Sequence, residues 1–230
     1  LSNWLEESEC SHVAMEATGI YWKPVWHILE PTFELVLANA AHIKNVPGRK
    51  TDVKDAQWIA DLLAHGLIRG SFVPPTPIQD LRALMRTRKQ LVREAARNTQ
   101  RIQKTLEDAN IKLTSVISDI LGRSGRAILD ALVAGTTDPT ELAKLTSGRL
   151  KASRAQLVEA LRGAVREHHR FLIKLHLEQV DGLNNAVREL EARVGEELEP
   201  FQRSVELLKT IPGVSDTAAR TIVAEIGLDM

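Results

Sequence analysis

Three carboxylates define the chemistry open to this sequence: Glu16 in VAMEATG, and Asp52 and Asp55 in TDVKDAQWIADLLAHG. Asp52 and Asp55 lie three residues apart at the start of an amphipathic pattern, so on a helix both project from one face. Glu16 follows Val13-Ala14-Met15 and precedes Thr18-Gly19, the setting of a residue that closes a short buried strand. Such carboxylates converging would form a cage for hard divalent cations. Mg²⁺ takes oxygen ligands and keeps several waters, so few protein groups suffice. Two ions held this way activate a nucleophile and stabilise the leaving oxygen at a phosphodiester. A second reading stands beside the first. Acidic residues in a first helical turn are favoured by the helix dipole without any metal. A carboxylate after a buried strand needs a partner or a task, and Lys23, Lys50 and Lys54 are available as partners.

A basic stripe is the next chemical feature. Arg82, Arg86, Arg88, Lys89, Arg93, Arg97, Arg101 and Lys104 fall between 81 and 104, against one acidic residue, Glu94. Such a stripe can neutralise phosphates and release their counterions. It can equally pair with residues 178–199, where seven Glu/Asp oppose Arg188 and Arg193. The stripe has no aromatic residue, which argues against base stacking there. Near the C-terminus, IPGVSDTAARTIVAEIG reads as a helix-hairpin-helix whose Gly213 turn could present N–H groups to a phosphate. His168, His169 and His176 have no Cys nearby in sequence, and packed or solvated helix positions are expected. Cys10 has no nucleophile context and reads as structural.

These groups must be held by ordered elements. Residues 13–16 and 34–40 read as strands, with a helix over 21–29 between them and a basic loop over 42–50. Thr51 can cap a helix running to about residue 65, with Gly66 as its stop. This βαβα order points to an α/β sandwich. Pro74-Pro75-Thr76-Pro77 is a stiff break and a domain boundary. Beyond it, Leu81, Met85, Arg88, Val92, Ala95, Thr99, Ile102, Leu106, Ala109, Leu113, Val116 and Ile120 follow a 4-3 spacing, ten of the twelve apolar. One long helix with a coiled-coil seam is therefore expected up to the interruption at 122–125. Shorter helices over 126–134, 141–145 and 154–161 follow. A second long heptad segment runs through Ile173, Val180, Leu183, Val187, Leu190, Val194, Phe201 and Leu208, with Pro200 breaking or kinking it. Each long helix is expected to pair with the other, or with its copy in a second subunit.

The balance of 30 basic and 30 acidic residues means that a nucleic-acid argument must rest on local charge. A single cysteine excludes an internal disulfide framework and a multi-Cys zinc site. No apolar run approaches the roughly 20 residues that span a bilayer. The N-terminus, LSNWLEESECSH, has neither an initiator Met nor a signal pattern, and EIGLDM stops abruptly, so a fragment is expected.

MEATGIYW, then ELVLANAAHIKNVPGRKTDVKDAQWIADLLAHGLI, the basic heptad helix, the second long helix and L-x-x-I-P-G-V occur here in an order that resembles the DEDD transposases of bacterial insertion sequences, the "one-ten" group of RNA-guided recombinases. The resemblance implies an α/β plus all-α chain: a partial RuvC-like (RNase H-type) domain over 1–75, a helical coiled-coil domain over 76–208, and the start of a C-terminal transposase domain over 209–230. It implies that Glu16, Asp52 and Asp55 are catalytic and hold Mg²⁺. The first Asp of the pattern would precede Leu1, and the family's nucleophilic serine is expected beyond Met230, since Ser215 is not at the matching position. This stretch by itself is thus expected to be inactive. The implied partners are DNA, a bridge-type guide RNA and further copies of the chain, as dimer or tetramer, in the bacterial cytoplasm at the nucleoid and away from membranes. By the same analogy Lys44, Arg49, Lys50 and Lys54 join Arg82, Arg86, Lys89, Arg93, Arg97, Arg101, Lys104 and Gly213 as nucleic-acid contacts. Two rival readings remain: a RuvC-like two-metal nuclease such as a junction resolvase, and a non-catalytic coiled-coil scaffold that binds nucleic acid or a partner protein.

Overall fold

The computed structural model describes residues 1–45, 55–147 and 151–228. The chain divides into two compact units, Leu1–Pro75 and Thr76–Met230.

In the first unit, α1 (Ser2–Glu7) leads to β1 (His12–Glu16), α2 (Trp22–Leu29), β2 (Glu34–Ala38), α3 (Ala40–Asn45) and α4 (Asp55–Ala64). β1 and β2 pair in parallel, from His12 opposite Glu34 to Glu16 opposite Ala38. A parallel pair needs a crossover, and α2 supplies it. The ladder continues one step at each end, through Glu34 N–H to Ser11 O and Ala17 N–H to Ala38 O. Val13 and Leu35 pack with Leu5, Leu29 and Phe33 in one apolar cluster; Ala38 packs in another with Ile43, Leu62, Trp58 and Ile59. The unit is thus a βαβ with helices, and a short return segment bridges antiparallel at Gly70 to Ala38.

Two local expectations are corrected here. The second strand stops at Ala38 rather than at residue 40, because the Asn39 side chain accepts the Ala41 N–H at 2.8 Å and opens α3. The described part of the expected 42–50 loop is therefore helical, with Ile43 buried beneath it. The cap proposed at Thr51 lies outside the described residues. The stop at Gly66 is observed: it has φ +65°, and Gly66 and Leu67 donate to Leu63 and Leu62, closing α4 in a Schellman turn.

The second unit is helical: α5 (Thr76–Asp108), α6 (Leu113–Val116), α7 (Arg123–Val133), α8 (Pro139–Lys144), α9 (Arg154–Ala160), α10 (Glu167–Leu198), a 3₁₀ turn at Glu199–Phe201, α11 (Gln202–Lys209) and α12 (Asp216–Ile226). α5 and α10, each about 50 Å long, form an antiparallel pair: Asp108 meets His169, Asn98 meets His176, and Arg88 meets Glu191. The 3₁₀ turn contains Pro200, where the heptad helix was expected to break.

The first long helix ends earlier than its heptads suggest. Asn110 adopts φ +59°, and the Asn110 and Ile111 N–H groups bond Glu107 O and Leu106 O, so α5 closes in a Schellman turn after Asp108. Leu113 and Ile120 keep apolar spacing because they enter the same core from separate segments. Ile102, Leu106, Ile111, Leu113, Ile120, Ile128, Leu142, Leu157 and Ile173 all lie in one cluster at this end of the helix pair. A second cluster at the other end joins Leu81 and Met85 to Val194, Leu198, Val205, Ala219 and Val223. Gly163 is where the α9–α10 link crosses the end of α5. A Cβ there would meet Ala109 O at 2.3 Å, and the next residue donates its N–H to that same carbonyl at 2.8 Å.

Candidate functional site

Glu16 is the last residue of β1 and is half-buried. Opposite it in the ladder is Ala38, which packs with Trp58, Ile59 and Leu62 of α4. Asp55, also half-buried, begins the described helix α4 one turn before Trp58 and Ile59. Glu16 therefore stands at the C-terminal edge of the parallel sheet, the side on which open α/β sheets bind their ligands. Glu16 makes no ion pair among the described residues, so the Lys23 pairing considered above is not formed. Asp52, Arg49, Lys50 and Lys54 lie outside the described residues. Lys44 falls in α3, and its side chain is outside them as well. A carboxylate at a strand end is an oxygen donor of the kind a hard divalent cation takes.

The basic stripe divides in two. Arg82 reaches across to α12, donating to Ala224 O at 3.2 Å and to Glu225 O, so it satisfies carbonyls that a helix end leaves open. Arg86 holds Glu225 in a bidentate pair at 2.9 and 2.6 Å. That hydrogen bond holds the Glu225 carboxyl below the usual range and pushes Arg86 up. Arg88 bonds Glu191 of α10 at 3.0 and 2.6 Å. These three arginines are tied into the helix assembly. Farther along, Lys89, Arg93, Arg97, Arg101 and Lys104 are exposed and spaced by four, four, four and three residues, which puts them on one face of α5. None of these five forms an ion pair among the described residues, and Arg101 donates to Asn98 Oδ1 at 3.2 Å.

The Gly213 turn is exposed and has φ +88°. Its surroundings are self-neutralised: Lys209 pairs with Glu206 at 3.0 Å and Asp216 at 3.4 Å, and Arg220 pairs with Asp216 at 2.6 Å. Ser215 caps α12 by accepting the Ala218 N–H at 3.2 Å.

The tertiary fold also assembles a group that is dispersed in sequence. Asp108, His168 and His169 meet where α5 ends and α10 begins. His169 is buried; its Nδ1 accepts the Arg166 N–H at 3.1 Å, which leaves the ring proton on Nε2 to donate to Asp108 at 2.7 Å. Both ring nitrogens are thus committed, and Arg166 stands 4.0 Å from the same Asp108 oxygen. A cation at Nε2 would have to displace that proton beside a guanidinium, so the trio is a clamp between the long helices. The hydrogen bond from His169 holds Asp108 below the usual carboxylate range. The expectation of packed or solvated histidines holds for His169 and His168, but an acidic partner does exist. It comes from 61 residues earlier in the chain, and only the antiparallel register of the heptads pointed to it.

A parallel βαβ unit whose first strand ends at Glu16 is thus followed in sequence by a helix with an exposed basic face that forms no ion pair among the described residues. Residues 1–111 match the family model of the IS110-type DEDD transposases, described as Transposase. That stretch takes in all of the first unit and α5, and it belongs to this transposase family. A search of curated proteins found no match. A DEDD transposase family implies a DNA partner and a divalent metal. No helix among the described residues is long and apolar enough to cross a membrane.

Proposed function

We propose that this chain is part of a DNA transposase in which Glu16, Asp52 and Asp55 hold Mg²⁺ against a DNA phosphodiester, within a RuvC-like α/β domain over 1–75. What supports the reading is Glu16 at the C-terminal end of β1 and Asp55 at the start of the described α4, both within the stretch that matches the transposase family. When bound, the metal would polarise the phosphate and lower the pKa of a bound water or hydroxyl. The carboxylates themselves fix the metal's place and sign, and the half-buried strand end limits water around them. The exposed face of Lys89, Arg93, Arg97, Arg101 and Lys104 would follow a nucleic-acid backbone, DNA or the bridge-type guide RNA that the family resemblance implies. Arg82 and Arg86 are better assigned to holding α12, and Gly213 is left out because Asp216 and Glu206 neutralise the cations beside it. The helices from 76 to 208 form the coiled-coil domain of this reading, and 209–230 the beginning of a transposase domain that would supply the serine nucleophile. Further copies of the chain would complete the assembly.

The test is metal-dependent DNA cleavage by the complete reading frame carrying Glu16→Gln, Asp52→Asn or Asp55→Asn. Each is expected to lower the rate by at least a hundredfold and to raise the Mg²⁺ concentration needed. Unchanged cleavage in all three sinks the carboxylate reading. If the three carboxylates are essential but replacing the downstream serine has no effect, the two-metal nuclease reading replaces it.

A further inference from the structure

We propose that Tyr21 is a base-stacking residue that seats a nucleotide beside the carboxylate edge, an inference resting on the reading of Glu16 and Asp55 given above. The backbone after β1 turns sharply. Thr18 N–H bonds Glu16 O at 2.8 Å, Gly19 takes φ +54°, and Tyr21 N–H bonds Thr18 O at 3.3 Å. The turn carries the chain from the strand-end carboxylate to the start of α2 in five residues. At its tip stand Ile20, 71 % exposed, and Tyr21, 80 % exposed.

An apolar pair this open costs solvation wherever it is placed. Here it lies on the side of the sheet where ligands of parallel sheets bind. The rest of the turn is committed to the fold. Trp22, the next residue, is half-buried and packs edge-on against Trp26 at 5.7 Å, while the Tyr21 ring is exposed beside Gly19, where an added Cβ would come within 3.7 Å of it. The ring is open to an incoming ligand. An aromatic face with one free side accepts a nucleobase by stacking, without regard to sequence. The positive φ at Gly19 is a conformation that residues with a Cβ rarely adopt, and the two turn hydrogen bonds set the backbone of Tyr21 close behind Glu16. The ligand class is an unpaired or unstacked base next to the phosphate that the carboxylates engage. α5, by contrast, offers charge and no aromatic residue. Backbone grip and base stacking are thus divided between different parts of the chain.

Tyr21 is the single tyrosine of the sequence, which makes it selectively addressable. The 230-residue chain is titrated with a single-stranded oligonucleotide carrying 2-aminopurine, and tyrosine nitration is followed with and without the oligonucleotide. Stacking predicts a change in 2-aminopurine emission on binding and slowed nitration. Tyr21→Phe should retain the emission change and the affinity within about twofold. Tyr21→Ala should weaken binding roughly tenfold to a hundredfold, with no change in the salt dependence because the ring carries no charge. Tyr21 is exposed, so both variants are expected to fold, and matching circular dichroism verifies it. If Tyr21→Ala binds with unchanged affinity and emission, or nitration proceeds unprotected, the stacking role is overturned while the carboxylate reading stands. If loss of all three carboxylates leaves cleavage intact, the reading beneath it falls, and the stacking role falls with it.

Discussion

The division of the α5 stripe makes the sharpest prediction. Arg93, Arg97 and Arg101 are exposed and unpaired by acidic groups among the described residues, whereas Arg82, Arg86 and Arg88 engage Ala224, Glu225 and Glu191. Replacing the outer three by Gln removes three phosphate contacts. Each duplex contact contributes about 0.9 to the slope of log K against log salt, so the slope should fall by roughly 2.7. Between 50 and 200 mM salt, that amounts to about a 40-fold smaller loss of affinity than the parent chain suffers. Replacing the inner three should leave the slope nearly as it was and lower stability instead, by about 1 kcal/mol or less per exposed pair. The assay is fluorescence anisotropy with a labelled duplex over a salt series, with urea unfolding run in parallel. An unchanged slope in the outer variant would return the whole stripe to the role of a solvated helix face. An equal flattening by the inner variant would show that the ion pairs to α10 and α12 do not decide which arginines meet phosphate.

Three further outcomes follow from the packing. Asp108, held below the usual carboxylate range by His169, adds stability that is present above its unfolded value and lost as pH falls through its lower folded value. Asp108→Asn should therefore unfold at lower urea at pH 7 and lose less than the parent chain on acidification below about pH 4. His169→Ala should cost about 1–3 kcal/mol in urea unfolding, because it leaves the Arg166 N–H without its acceptor and opens a buried site. Gly163→Ala should cost about 1–3 kcal/mol by the same measure, since its Cβ would strike the Ala109 carbonyl at 2.3 Å. An unaltered midpoint there would mean that the α9–α10 link shifts freely.

Period and punctuation made much of the fold legible. The strand closing at Glu16, the crossover helix, the stop at Gly66, the two long helices and the break at Pro200 all follow from local rules of alternation, heptad spacing and turn chemistry. Errors fell where one local signal competed with another. Heptad spacing ran on past Asp108 because residues on separate helices entering one core preserve an apolar rhythm, while the αL turn at Asn110 ends the helix. The 42–50 segment read as a loop for its Pro and Gly, yet Asn39 caps a helix over its first part. Asp108 could not be matched with His169 by sequence distance at all.

Residue types and spacing by themselves singled out Glu16, Asp52 and Asp55 as carboxylates that either a metal or a helix start could use, and determined that α5 is basic, because those properties belong to side chains and to the period of the element that carries them. Which of the eight cations remain available was decided by tertiary structure alone. Antiparallel pairing of α5 with α10, and the return of α12, set Glu191 and Glu225 against Arg88, Arg86 and Arg82 but leave Arg93, Arg97 and Lys104 facing water. Charge is local to a residue, but its neutralisation depends on what the fold brings within a few ångströms of it.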